Sequence, residues 1–180
     1  MAFLTSRILR MLYMSIALIS SAFITGCAAP TMQSSSANSP SLTDFPPIVF
    51  VHGNGDTAAL WQSVLWRFES NGWPRNRLHA IEVPYPSSRD EDAKPQAGRT
   101  STAEHAAYLS AEVNKVLAAT GASKVVLFAN SRGGYAVRNY IQNGQGASKV
   151  SLAILGGTPN HGVWAIKGFR KGSECSGTGA

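Results

Sequence analysis

Apolar positions along the chain change their spacing several times, and each change marks an element. Pro47 precedes Ile48-Val49-Phe50-Val51, an unbroken apolar run of the kind shown by strands buried on both faces. His52-Gly53-Asn54-Gly55-Asp56 breaks the run. Leu60, Trp61, Val64, Leu65 and Phe68 then share one face at helical spacing, with Asp56 or Thr57 as the candidate cap and Asn71-Gly72 as the stop. Leu78 to Val83 predicts a second strand, and a polar, Pro-rich loop follows from Pro84 to Arg99. Thr100 to Thr102 supply caps for a long helix carrying Ala106, Leu109, Val113, Val116 and Leu117, which Gly121 stops. Lys124 to Phe128 predicts a third strand, Gly134 to Ile141 a helix, and Lys149 to Leu155 a fourth strand. Strands alternating with helices predict βαβ units, so the fold class is α/β: a parallel sheet with helices on both faces.

The front of the chain has a different pattern. Arg7 and Arg10 precede an apolar stretch from Met11 to Phe23, which ends at Ile24-Thr25-Gly26-Cys27. A charged start, an apolar middle and a small-residue exit describe a secretory signal over residues 1–27. The stretch is shorter than the ~20 apolar residues a spanning helix needs. Ile24 to Cys27 resembles the bacterial lipobox, in which the cysteine is acylated and becomes the new N-terminus. That implies export to the cell envelope and attachment to a membrane through lipid on Cys27; an ordinary signal peptide, with secretion, is the alternative. A lipidated Cys27 leaves Cys175 without a partner, whereas a Cys27–Cys175 disulfide is the other possibility. Residues 28–44 are rich in Ser, Pro, Ala and Asn and bury little, so they are expected to be a disordered tether before a core spanning 45–166.

Charge adds little. Of 16 lysines and arginines, Arg7 and Arg10 fall in the signal, leaving 14 against 10 acidic residues. The basic residues are scattered and do not alternate with aromatics, which argues against a nucleic-acid surface. Four widely separated histidines show none of the paired spacings a zinc site needs, and no phosphate-binding Gly-rich signature is present, so no metal and no cofactor are expected.

The chemistry concentrates at Lys124-Val125-Val126-Leu127-Phe128-Ala129-Asn130-Ser131-Arg132-Gly133-Gly134. An apolar strand ends abruptly at a serine flanked by small residues, and a helix follows. That is the pattern of a nucleophile elbow, a strained turn that lifts a serine hydroxyl out of a parallel sheet. Such a pentapeptide also arises by chance as a Gly-rich turn whose serine caps a helix; its place between strand and helix favours the nucleophile. His52-Gly53-Asn54 follows the first strand at the sheet edge where sites form in open α/β folds. The backbone N–H groups of Asn54 and Arg132 are suitably placed in sequence to hold a developing oxyanion. The His52 ring is read as structural, fixing its loop by hydrogen bonding.

Val49 to Gly55, Ser70-Asn71-Gly72-Trp73 and Ala129 to Gly134 together resemble the α/β-hydrolase superfamily, above all its small bacterial lipases and esterases. Leu155-Gly156-Gly157-Thr158-Pro159-Asn160-His161-Gly162 is similar to the stretch after the next strand in those enzymes. The resemblance implies a serine hydrolase of carboxylic esters, with an ester or lipid substrate and an acyl-serine intermediate. By it, Ser131 is the nucleophile, and Asn54 and Arg132 form the oxyanion hole. Ala129 stands where Gly is commoner, and Asn130 where His is usual.

The superfamily order places an acid and then a histidine on later strand-end loops. After Ser131 this chain has one acidic residue, Glu174, and one histidine, His161, both close behind the fourth strand. No apolar run after Leu155 predicts another strand, and residues 167–180 read as a flexible tail rich in Gly, Ser and Lys. The sheet is therefore expected to be incomplete at its C-terminus, as the first part of a longer hydrolase would be. His161 is the candidate base within the chain and Glu174 its candidate orienter. A non-catalytic envelope lipoprotein that keeps the scaffold for binding is the alternative function. Oligomeric state has no signature.

Overall fold

The computed structural model describes residue 41 and residues 45–160. The expected signal, Cys27, nearly all of the tether, His161, Glu174, Cys175 and the tail lie outside the described residues.

Four parallel strands form one sheet: β1 (Ile48–Val51), β2 (Leu78–Ala80), β3 (Val125–Asn130) and β4 (Val150–Gly156), in the order β2-β1-β3-β4. Each of the four residues of β1 is buried, because helices cover both faces of the sheet. Helix α1 (Gln62–Ser70) lies on one face, where Leu65 and Trp61 pack with Ile48, Phe50, Leu78 and Val126. Helices α2 (Thr102–Thr120) and α3 (Arg132–Asn143) cover the other, where Leu109, Val113, Ala136, Val137 and Tyr140 meet Val49, Val51, Val125 and Leu127. A one-turn helix, α4 (Gly146–Lys149), leads into β4. This is the α/β class expected.

Local boundaries follow identifiable chemistry. Ser101 caps α2 through a reciprocal box: its hydroxyl accepts from the Glu104 N–H, and the Glu104 carboxylate accepts from the Ser101 N–H at 2.7 Å. Gly121 ends α2 in the left-handed region, at φ 67°.

Two expectations need correction. Strand β2 stops at Ala80 rather than Val83. The Ile81 N–H still bonds the Phe50 carbonyl, but the Val83 N–H turns to the His52 ring, so the ladder ends although Ile81 and Val83 stay buried. The helix expected from Asp56 or Thr57 is instead a 3-10 turn over Ala58–Trp61 followed by α1. Thr57 makes no side-chain cap; the Ala58 N–H donates to the Glu82 carboxylate at 2.8 Å, a cap supplied from 24 residues away.

Strand β4 is an edge of the sheet among the described residues. Leu152 and Ile154 are exposed there, in register with Val126 and Phe128 of β3.

Candidate active site

Ser131 stands between β3 and α3 with φ 51° and ψ −122°, a backbone region that side-chain-bearing residues rarely occupy. Such a conformation costs about 1–3 kcal/mol and persists only where its surroundings over-determine it. Here they do so from three sides. The Ser131 N–H donates to the Gly156 carbonyl of β4 at 3.0 Å, and its own carbonyl accepts from the Gly134 N–H at 3.0 Å. Gly133 seats the first turn of α3 on the end of β1, where a Cβ would stand 2.6 Å from the Val51 oxygen and 2.7 Å from the His52 oxygen. Gly134 in turn faces Thr158, whose Oγ1 would lie 2.0 Å from a Cβ built on that glycine. Ala129 is fully buried beneath the turn. Gly133 and Gly134 thus leave no room for a side chain beside Ser131.

The loop after β1 reaches the same place. A Cβ built on Gly53 would stand 3.0 Å from Ser131 Cβ and 3.5 Å from its Oγ, so this loop runs within van der Waals reach of the serine. Asn54 follows directly and is exposed. Its side-chain oxygen accepts from the Ser88 N–H at 2.6 Å, and the Gly55 N–H donates to the Pro86 carbonyl at 3.3 Å. Arg132 is the first residue of α3, at the helix end where backbone N–H groups point outward. Asn54, Ser131 and Arg132 therefore belong to one small region at the C-terminal edge of the sheet.

His52 is fully buried, and its ring is structural. Nε2 accepts from the Val83 N–H at 3.0 Å, which leaves the proton on Nδ1, facing the Gly53 carbonyl at 3.1 Å. The Glu82 carboxylate lies 3.8 Å from Nε2, but that nitrogen already serves as an acceptor, so the contact is not an ion pair. His105, on α2, is also buried, and neither ring nitrogen has a hydrogen-bond partner among the described residues. Burial, followed by the positive charge of Arg132 and by His52, pushes it down to about 3. It is neutral across the physiological range.

Among the described residues, no histidine or carboxylate hydrogen-bonds the Ser131 hydroxyl; His161 and Glu174 lie outside them. The described end of the chain does approach α3. The Tyr135 hydroxyl donates to the Pro159 carbonyl at 2.6 Å, and Arg138 donates to the Asn160 carbonyl at 3.1 Å.

Sequence reasoning missed the Arg132 side chain. Its guanidinium is buried, with Nη1 donating to the Pro86 carbonyl at 3.0 Å and to Thr100 Oγ1 at 2.8 Å, and Nη2 to the Thr100 carbonyl at 2.8 Å. The one signal for it was an arginine in a helix start otherwise built of Gly, Ala, Tyr and Val.

The family model described as lipase (class 2) matches residues 46–176. Among solved structures, a Bacillus licheniformis lipase in mature form is 22% identical with a TM-score of 0.49, over 71% of this chain and 48% of that one. An esterase from a Rhodococcus species is 24% identical with a TM-score of 0.46, over 64% of this chain and 38% of that one. The chain thus spans less than half the length of either solved structure.

Proposed function

The chain belongs to the class 2 lipases, and from that premise we propose that it is a serine hydrolase of carboxylic esters. The observation that carries the reading is the strained Ser131 backbone, held at the strand-to-helix turn by Gly133 against β1. Strain of this kind between a strand and a helix is a feature of nucleophile positions.

In the proposed reaction the Ser131 hydroxyl attacks the ester carbonyl while a base takes its proton. The carbonyl oxygen gains the electron pair, and the amides of Asn54 and Arg132 are assigned to hold it. Collapse expels the alcohol, which takes the proton from the base, and leaves an acyl-serine that water hydrolyses. Within the chain, His161 is the candidate base and Glu174 its candidate orienter. His105 does not suit that role, because a pKa of about 3 makes its neutral ring too weak a base near neutral pH.

A fluorophosphonate, which forms a stable bond with an activated serine, tests the reading together with turnover of a short-chain aryl ester. Labelling at Ser131 and turnover abolished by Ser131→Ala are expected. Turnover unchanged by that substitution sinks the assignment.

The second reading is a non-catalytic envelope lipoprotein on the same scaffold. It is favoured by the lack, among the described residues, of a base bonded to Ser131, and it predicts neither labelling nor turnover. In both readings we propose export and a lipid anchor on Cys27, supported by the apolar stretch from Met11 and the small-residue exit at Ile24 to Cys27. Cys27→Ser is expected to release the protein from the membrane fraction; unchanged fractionation refutes the anchor.

A further inference from the structure

We propose that the Arg132 side chain is the positioning residue for the Asn54 turn, so that the residue after the nucleophile sets the other side of the site through its guanidinium. The inference rests on the ester-hydrolase reading for its catalytic meaning, but on geometry for the positioning itself.

The Pro86 carbonyl accepts from two donors, the Gly55 N–H at 3.3 Å and Arg132 Nη1 at 3.0 Å. One oxygen thus joins the loop after β1 to the first residue of α3. The same segment returns to Asn54 one turn later, where the Ser88 N–H donates to the Asn54 side-chain oxygen at 2.6 Å. Arg132 also holds the far end of the segment. Its two terminal nitrogens engage Thr100 Oγ1 and the Thr100 carbonyl. Thr100 in turn donates its N–H to the Ser87 carbonyl at 3.0 Å and its hydroxyl to the Tyr85 carbonyl at 3.2 Å. Tyr85 lies in the left-handed region, at φ 52°, and is exposed. A tyrosine there is strained, and its carbonyl is fixed by the residue that Arg132 fixes.

The burial sharpens the point. A guanidinium that is 1% exposed has left water, and its donors must find acceptors in the fold. Its bonds to Pro86 and Thr100 are charge-assisted and stronger than neutral ones. The planar fork reaches two strands of loop at once, which an ammonium or an apolar side chain does not do. An apolar residue here would leave the Pro86 carbonyl without its second donor and Thr100 without any partner from α3. The Asn54 turn would then be free to drift relative to Ser131. A displacement of about 1 Å in a positioning group costs about 100-fold in rate.

The test uses the full chain, with Arg132→Met, Arg132→Lys and Thr100→Val, the last leaving every group at the nucleophile turn in place. Two readouts are taken together: amide hydrogen exchange over residues 53–56 and 84–100, and kcat and KM on a short-chain aryl ester. Arg132→Met is expected to speed exchange in those two segments while β1 and β3 keep their protection. It should lower kcat about 100-fold with KM changed less than about 3-fold. Arg132→Lys should recover part of both, and Thr100→Val should shift both in the same direction, with kcat down about 10-fold. Exchange unchanged in the two segments in both Arg132→Met and Thr100→Val overturns the proposal whatever the activity. Loss of protection in the strands as well overturns it in favour of a purely structural arginine. Faster local exchange with undiminished kcat overturns it too. Faster local exchange in a protein whose wild type shows no Ser131-dependent turnover upholds the positioning and sinks the ester-hydrolase reading instead.

Discussion

Gly133 touches Val51 so closely that a Cβ on the glycine would stand 2.6 Å from the valine carbonyl oxygen. The helix after Ser131 is therefore seated on the end of the first strand, with no room between the two backbones. Both neighbours are main chain, which cannot rotate away as a side chain would. Gly133→Ala is expected to cost about 1–3 kcal/mol of stability by forcing α3 off β1. Ser131 moves with the helix, so on the proposed ester-hydrolase reading turnover should fall about 100-fold. Chemical denaturation and kcat/KM check the two effects. A variant as stable and as active as wild type would mean that the elbow tolerates a gap the geometry denies it.

Ser131 itself stores strain. Its φ of 51° with ψ −122° is open to glycine at little cost but not to alanine. Ser131→Gly should therefore be about 1–3 kcal/mol more stable than Ser131→Ala, although both lack the hydroxyl. Comparing the two variants by urea denaturation separates the backbone cost from the loss of the hydroxyl. Equal stability would show that the turn relaxes when the hydroxyl is removed.

The fold was legible where one local rule decided the outcome. Ile48 to Val51 and Val125 to Phe128 read as buried strands because nothing polar interrupts them, and Gly121 marks the end of α2 because its backbone needs a left-handed residue. Legibility failed where a partner distant in sequence took over. Glu82 caps the turn at Ala58, and His52 draws the Val83 N–H out of the sheet, so both element boundaries shift. The site divides in the same way. Ser131 and the small residues round it announce themselves, whereas the role of the Arg132 side chain depends on where Pro86 and Thr100 fold back, and that polar loop has no periodicity to read.

The loop after β4 lies on the first turn of α3 through Gly134 and Thr158. A Cβ on Gly134 would lie 2.0 Å from Thr158 Oγ1, 2.6 Å from its Cγ2 and 2.8 Å from its Cβ. Gly134→Ala is expected to cost about 1–3 kcal/mol, more than offsetting the gain of about 0.5–1 kcal/mol that alanine gives in a helix. Thr158→Gly removes every clashing atom, so the double variant should recover at least about 1 kcal/mol relative to the sum of the singles. A double-mutant cycle by denaturation measures that coupling, and an additive result would separate the loop from the helix.

His105 gives the chain a sensitivity to acid that one substitution should remove. Folded, its ring is held neutral down to about pH 3, by burial first and then by Arg132 and His52; unfolded, it returns to its ordinary value of 6.5. Between those values the unfolded chain binds the extra proton, so the stability this group contributes is present above pH 6.5 and is lost as pH falls. The loss approaches about 1.4 kcal/mol per pH unit and amounts to about 2 kcal/mol between pH 7 and pH 5. Because neither ring nitrogen has a partner among the described residues, His105→Leu substitutes an apolar group of similar size at little cost at pH 7. Stability of the two proteins should then diverge as the pH is lowered, with the variant ahead by about 2 kcal/mol at pH 5. Parallel stability curves from pH 7 to pH 5 would place the proton on the folded ring and would require a hydrogen-bond acceptor beside His105.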